Sequence, residues 1–294
     1  MENGQIKHVT IIGVGLLGGS AGLAIKAWDP EIHVAGVGRR AVSLQVALEA
    51  GAIDSMHLDV TEPASRTDLV VLATPVGTFE TYLKQLADGL ADGAIVTDVG
   101  STKADVVAQG EAILGVGGPF VGSHPMAGSE QRGPQWARGD LFEQATCIIT
   151  PTEHTPPALA DTVEAFWKHL RMHTVRMAPS DHDRATARVS HLPHALACLL
   201  MDLPEEDDLA VAATGFRDAT RLASGDPEMW RDIFTTNGPA VVEAIGMLAE
   251  GLQTFRRIVQ AGDGEQLQAF LARVKTRRDQ TVARPLTERR VAFE

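Results

Sequence analysis

Between residue 8 and about residue 178, short runs of β-branched and aliphatic residues alternate with longer stretches of helical periodicity. The first run, His8-Val9-Thr10-Ile11-Ile12, reads as a buried strand. Further strand candidates are His33 to Val37, Asp68 to Thr74, Ala94 to Val99, Phe120 to Ser123, Thr146 to Thr150 and His173 to Met177. Such alternation marks a doubly wound, mostly parallel sheet, because each crossover helix covers one face of the sheet. After Pro179 the strand pattern ceases. Helical periodicity then runs from Ser180 to Asp202, Pro227 to Ala261 and Gly264 to Ala283, and Pro179-Ser180-Asp181 reads as a linker followed by a helix cap. On pattern alone the chain divides into an α/β domain over residues 1–178 and an all-α domain over residues 179–294.

The first strand leads directly into Gly13-Val14-Gly15-Leu16-Leu17-Gly18-Gly19-Ser20, a GxGxxG with a strand before it and a helix pattern after it. In that setting Gly13 permits the tight turn, Gly15 lets the backbone approach a pyrophosphate, and Gly18 lets the helix pack on the strand. The helix N-terminus supplies amides and partial positive charge. Well downstream, Ser123-His124-Pro125-Met126-Ala127-Gly128-Ser129-Glu130 sets an imidazole in tightly turning backbone. A histidine there can take a proton while a nicotinamide takes a hydride.

Bulk composition narrows the class. Lys+Arg of 26 against Asp+Glu of 38 gives a net charge of −12, which argues against nucleic acid or an anionic membrane as the main partner. An anionic substrate must then be drawn in by a local basic pocket. Met1 to Gln5 has no apolar targeting core, and the apolar run from Ala195 to Leu203 is interrupted by Asp202 and too short to span a bilayer, so the expectation is a cytoplasmic enzyme. Cys147 and Cys198 lie in no CxxC and read as buried small apolar residues.

Polar residues of the helical half have plainer and sharper readings. Ser190-His191-Leu192-Pro193-His194 spaces two histidines at i, i+3 beside Asp181 and Asp183, yet a metal site lacks a third ligand at a recognisable spacing, so no metal is expected. Asp218 and Arg221 lie at i, i+3, where the plain reading is a surface ion pair. The last helices carry Ile233, Phe234, Val241, Ile245, Leu248, Leu252, Phe255 and Ile258, which suit either an intrachain bundle core or a two-fold dimer.

Taken together, these segments resemble the prephenate and arogenate dehydrogenases of tyrosine biosynthesis, also called cyclohexadienyl dehydrogenases. The likeness spans nearly the whole chain. It rests on Gly13 to Ser20, Thr97-Asp98-Val99-Gly100-Ser101-Thr102-Lys103, the HPMAGSE run from His124, the SHLPH run from Ser190, GFRDxTR from Gly215, and Asp226-Pro227-Glu228-Met229-Trp230-Arg231-Asp232. It implies a Rossmann-type domain followed by an all-α dimerisation domain, the plan of 6-phosphogluconate dehydrogenase, and a homodimer through the helical half. It further implies His124 as the catalytic histidine, with Ser101 as its hydrogen-bonding neighbour near the reacting hydroxyl. Ser190, His194 and Arg221 become substrate contacts, and Ser129, Glu130, Asp218 and Trp230 shape or gate the pocket. Cofactor contacts fall on Gly13, Gly15, Leu16, Leu17, Gly18, Arg39, Arg40, Thr74, Pro75 and Ser101.

The implied reaction is oxidative decarboxylation of prephenate to 4-hydroxyphenylpyruvate with hydride transfer to NAD or NADP. Arogenate, or both substrates, stays open. Glu130-Gln131-Arg132 is expected near the side chain that distinguishes them, where an acidic group would favour the ammonium of arogenate and Arg132 the keto acid. More remote are a β-hydroxyacid-type dehydrogenase and a catalytically silent nucleotide sensor; the former uses a lysine on the interdomain helix, where this chain offers Ser190 and His194. Two departures stand out. NAD-preferring members carry an acidic residue after the second strand, whereas this chain reads Gly36-Val37-Gly38-Arg39-Arg40, which resembles NADP-using relatives, the alternative being a solvated helix start. Beyond the C-terminal helices there is no βαββαβ pattern of an appended sensing domain.

Overall fold

The computed structural model describes residues 6–129 and 131–283. Its first half contains strands β1 (His8–Ile12), β2 (His33–Val37), β3 (Ser55–His57), β4 (Leu69–Leu72), β5 (Ile95–Asp98), β6 (Gly122–Pro125), β7 (Thr146–Thr150) and β8 (His173–Arg176). Between them run helices α1 (Leu16–Trp28), α2 (Ala41–Glu49), α3 (Thr61–Ala64), α4 (Phe79–Ala87), α5 (Ala104–Leu114) and α6 (Pro157–His169). The first five strands form a parallel sheet in the order β3-β2-β1-β4-β5. Side chains alternate across it. Val9, Ile11, Leu69 and Val71 enter the core on one face, while Ile12, Val70, Leu72 and Val96 enter the core on the other. A sheet covered on both faces needs near-continuous apolar strands, and that is why these runs were visible as sequence.

A single parallel bridge, Val96 to Phe120, carries the sheet on to β6. There the parallel rule fails: β6 pairs antiparallel with β7, His124 opposite Ile148, before β7 and β8 return to parallel pairing. The strand β3 went unanticipated.

The second half is helical: α7 (Pro179–Thr186), a π turn (Ala187–His191), α8 (Leu192–Asp202), α9 (Glu206–Leu209), α10 (Thr214–Thr220), α11 (Pro227–Thr236), α12 (Gly238–Ala261) and α13 (Gly264–Ala283). Pro179 is the first residue of α7 and not a linker, since proline at that position gives up an amide the helix would leave unpaired anyway. The π turn has a local cause. Pro193 has no N–H for the Val189 carbonyl, and the backbone widens so that Leu192 N–H reaches Ala187 O. The single helix expected from Pro227 to Ala261 is two, because Pro239 cannot donate to the turn before it and Asn237 ends α11.

The helical core is small, built on Ala187, Val241 and Ala244 with Leu192, Phe234 and Ala240 against them. Ile233 and Val241 are buried within the chain, while Ile245, Leu252 and Phe255 stay exposed. Among the described residues, no helix is long and apolar enough to cross a membrane.

Candidate active site

Strand order reverses between β1 and β4, where a crevice opens beyond the carboxyl ends of the strands. Gly13 turns there with φ of +97°, and a side chain on it would come within 2.7 Å of the Ala73 carbonyl. Gly15 has open space where a Cβ would stand, and a Cβ on Gly18 would overlap the Gly13 carbonyl. The turn is therefore clear only on the side from which a ligand comes, next to the unpaired first amides of α1, where Leu16 and Leu17 lie half-buried. A cavity of about 220 Å³ occupies this place, with Gly13, Gly15, Arg39, Arg40, Ser43, Thr74 and Pro75 among its walls. Arg39 and Arg40 are exposed and form no ion pair among the described residues. These features fit a dinucleotide.

His124 stands buried on β6. Its Nδ1 lies 2.8 Å from Nε2 of His182, whose Nδ1 lies 2.8 Å from a carboxylate oxygen of Asp183. The same carboxylate accepts the backbone N–H groups of Lys103 and Ala104, each at 2.8 Å, at the start of α5. Nε2 of His124 has no hydrogen-bond partner among the described residues. Burial first, then the neighbouring His182, Lys103 and His191, hold His124 well below the ordinary histidine range. It is thus neutral near pH 7, as a base must be.

Beneath it lies a second charged group. Asp98 and Lys103 are both fully buried and paired, and Asp98 also accepts N–H from Gly100 at 2.7 Å and Ser123 at 3.0 Å. Burial raises the Asp98 carboxyl, and the Lys103 ammonium opposes that shift.

The helical half supplies the opposite wall. His194 stacks on Trp230 with centroids 3.6 Å apart and planes within 8°, and a Cβ on Gly225 would overlap Trp230. Asn237 Nδ2 donates to the Asp183 carbonyl at 2.9 Å and lies 3.1 Å from Nδ1 of His191, which burial lowers to about 4. Ser190 sits half-buried on the π turn, and Ser101 sits half-buried in the β5–α5 turn. Neither hydroxyl has a partner among the described residues.

Other expected site residues are less gathered. Arg221 and Asp218 are exposed, and no ion pair joins them among the described residues; α10 ends at Thr220, and Arg221 opens a tighter 3₁₀ turn. Ser129 is exposed and accepts the Gln131 N–H at 3.2 Å, Thr74 accepts the Thr78 hydroxyl at 2.8 Å, and Glu130 lies outside the described residues. Arg132 is taken up in an ion pair with Asp226, the N-cap of α11. Cys147 is buried as expected, but Cys198 is exposed, one turn after His194 on the same face of α8, its Sγ 3.5 Å from His194 Nε2. The sequence does not point to His182, and it shows Asp183 only beside a rejected metal site and Lys103 only as the end of a motif. Asp183 lies about 80 positions from Lys103 and Ala104, the N-cap and first residue of α5, and nothing local to either segment marks the contact.

Comparison with known proteins gives a consistent result. A family model described as prephenate dehydrogenase, nucleotide-binding domain, matches residues 21–176, and one described as prephenate dehydrogenase, dimerization domain, matches residues 178–273. Prephenate dehydrogenase of Bacillus subtilis (strain 168) is 34% identical over 283 residues, covering 94% of this chain and 76% of that protein. Cyclohexadienyl dehydrogenase of Zymomonas mobilis is 31% identical, covering 89% and 91%. The crystal structure of prephenate dehydrogenase from A. aeolicus in complex with hydroxyphenyl propionate and NAD+ superimposes with a TM-score of 0.90 at 33% identity, over 95% of this chain and 100% of that one. Synechocystis arogenate dehydrogenase gives 0.82 at 26% identity, over 93% and 99%.

Proposed function

This chain belongs to the prephenate dehydrogenase family, and on that premise we propose that it catalyses the oxidative decarboxylation of prephenate to 4-hydroxyphenylpyruvate with NAD or NADP. The observation that carries the reading is His124, a buried neutral histidine with Nδ1 engaged and Nε2 free, in a domain that also holds a dinucleotide crevice. The oxidised nicotinamide, when bound, accepts a hydride. His124 Nε2 takes the proton of the ring hydroxyl as the carbon bearing it loses that hydride and a carbonyl forms. Loss of the ring carboxylate as CO2 returns an electron pair to the ring, and His124 gives the proton back to the oxygen, which becomes the phenol. No net proton is released. Ser101 hydrogen-bonds the hydroxyl, and Ser190, His194 and Arg221 hold the two carboxylates, the guanidinium as a bidentate fork. Ser129, Glu130, Asp218 and Trp230 shape the pocket.

One observation favours a second reading. The Arg132–Asp226 pair occupies the cation that would have favoured a keto acid, which leaves arogenate as a competing substrate. Prephenate remains the proposal. An NAD(P)H absorbance assay run in parallel on both substrates tests it: turnover with a higher kcat/KM for prephenate supports the reading, a preference for arogenate replaces it, and no turnover of either refutes it.

For the cofactor we propose NADP at least as readily as NAD, because two unpaired guanidinium groups and Ser43 line the crevice where an acidic residue is missing at Gly38. Residues 1–178 form the dinucleotide-binding domain and residues 179–294 the substrate and dimerisation domain. Two copies associate through the exposed Ile245, Leu252 and Phe255 face of α12. A cytoplasmic setting follows from dependence on the nicotinamide pool.

A further inference from the structure

His124 is backed by a line of groups whose hydrogen-bonding roles leave no choice. Asp183 is surrounded by three donors: the N–H of Lys103, the N–H of Ala104 and the Nδ1 edge of His182. A carboxylate accepts and has no proton to give, so neutral His182 carries its proton on Nδ1 and offers a lone pair at Nε2. That lone pair faces Nδ1 of His124 at 2.8 Å. His124 must then carry its own proton on Nδ1, and its Nε2 is bare. We propose that His182 and Asp183 are positioning residues that lock His124 into the one neutral tautomer able to take a proton at Nε2. The assignment rests on the proposed reaction, which puts the substrate hydroxyl at that nitrogen.

The line is built to hold a proton in place and not to export it. His182 is fully buried and Asp183 nearly so; the Asp183 carboxylate meets the backbone N–H groups of Lys103 and Ala104, and its carbonyl accepts from the Asn237 side chain and the Thr186 hydroxyl. The reaction asks for that: the proton taken from the hydroxyl returns to the same oxygen, so a path to solvent would lose it. Once Nε2 is protonated, Nδ1–H of His124 still donates to His182, and the Asp183 charge lies one ring away to stabilise the cation. The elements involved, β6, α5 and α7, meet at the junction of the two halves, so the base is aligned only when both are in register.

Ring-nitrogen NMR on the 15N-labelled wild-type protein near pH 7 reads the tautomers without any turnover. His124 and His182 are expected to be protonated at Nδ1 and bare at Nε2, with assignments made from His124→Asn and His182→Gln. A proton on Nε2 of His124 overturns the proposal, whether or not prephenate is a substrate; absence of wild-type turnover alone refutes the functional reading and leaves the lock to be decided by the spectrum. In kinetics, Asp183→Asn sets an amide N–H among three donors, removes the carboxylate charge and no longer fixes the tautomer of His182, and should lower kcat by up to about 10⁴-fold, the loss seen when the orienting carboxylate of a catalytic histidine is replaced by its amide, with KM for prephenate nearly unchanged. His182→Gln keeps an acceptor for His124 and should hold kcat within about tenfold, whereas His182→Leu should fall as far as Asp183→Asn. The groups facing His124 are His182, Asp183, Lys103, Asp98 and His191, and the Asp183→Asn deficit should persist across the pH range, since it is a tautomer and not a titration that is wrong. A folded His182→Gln as impaired as His182→Leu overturns the proposal. Should Asp183→Asn fail to fold, having lost the α5 cap, the wild-type spectrum still decides.

Discussion

Replacing Lys103 with methionine keeps the length of the side chain and removes its charge, which isolates what the ammonium does beneath the base. Lys103 and Asp98 are both fully buried, so neither has water in reserve when its partner goes. Removing one member of such a pair costs about 3–5 kcal/mol, chiefly through the charge left behind. The Gly100 and Ser123 amides still hold the Asp98 carboxylate, which places the expected loss near the lower end, about 3 kcal/mol at neutral pH. The sign of the pH dependence follows from Asp98. Burial raises its folded-state pKa, and losing Lys103 raises it further above the unfolded value of about 3.9. An acid raised on folding is a burden above its folded pKa and none below its unfolded one, so the deficit shrinks on acidification as Asp98 takes up a proton. Urea denaturation can be followed by Trp167, whose indole donates to Ser123 Oγ at 2.9 Å within the same network. Wild type and Lys103→Met would be compared near pH 7 and near pH 5, with Asp98→Asn/Lys103→Met as the double variant expected to recover most of the loss. A deficit below about 1 kcal/mol, the size of an exposed pair, or one equal at both pH values, refutes the reasoning.

His124→Asn should lower kcat by about 10²–10⁴-fold with cofactor binding nearly intact, and because burial holds the wild-type residue low, kcat/KM should stay flat around neutrality and fall only at acid pH; near-normal turnover in the variant eliminates the base. Arg221→Ala should act mainly on KM, since a carboxylate clamp binds before the chemical step, and an unchanged KM with a lowered Tm would make it structural instead. Arg39→Ala/Arg40→Ala should weaken NADP selectively, by one or two charge-assisted hydrogen bonds of roughly 1.5–3 kcal/mol each before desolvation; equal weakening of both cofactors, or a strong wild-type preference for NAD, would make the arginines solvated surface. Light scattering at micromolar concentration should report about twice the 31.4 kDa chain, and a monomer mass removes the dimer.

What could be read from the sequence was what repeats locally. The central strands are buried on both faces and so appear as unbroken apolar runs, and the glycine turn is legible because two steric demands, at Gly13 and Gly18, flank an open approach at Gly15 within six residues. β3 escaped because it is a three-residue edge strand, Ser-Met-His, with no buried face to impose a pattern. The division of Pro227 to Ala261 was written in Gly238-Pro239 but was outweighed by continuous helical periodicity on either side. His124 was marked by its own turn; the groups behind it were not. His182 and His124 are 58 residues apart, and a histidine and an aspartate just after a proline look like an ordinary helix start. Arg132 likewise showed its charge in the sequence and concealed its partner, Asp226, which lies across the junction at the N-cap of α11.

Two carboxylates grip the short turn between β5 and α5, and the Lys103 they fix adds to the burial and the neighbouring His182 that keep His124 weakly basic. Asp98 takes the Lys103 side chain, while Asp183 takes the amides of Lys103 and Ala104, so the turn carrying Ser101 is fixed at both its charged end and its backbone. The cation held there lies near enough to His124 to disfavour its protonated form, adding to burial. A weak base is a handicap against an ordinary alcohol, whose proton is far too tightly held for a neutral imidazole. The alcohol here does not stay ordinary: as hydride leaves the carbon, positive charge develops beside the oxygen and its proton becomes acidic, so a weak base suffices at that moment and at no other. A histidine of normal basicity would be partly protonated near pH 7 before substrate arrived. Burial and Lys103 thus trade basicity for availability, and the tautomer fixed by His182 and Asp183 aims what basicity remains at the one position where the reaction can use it.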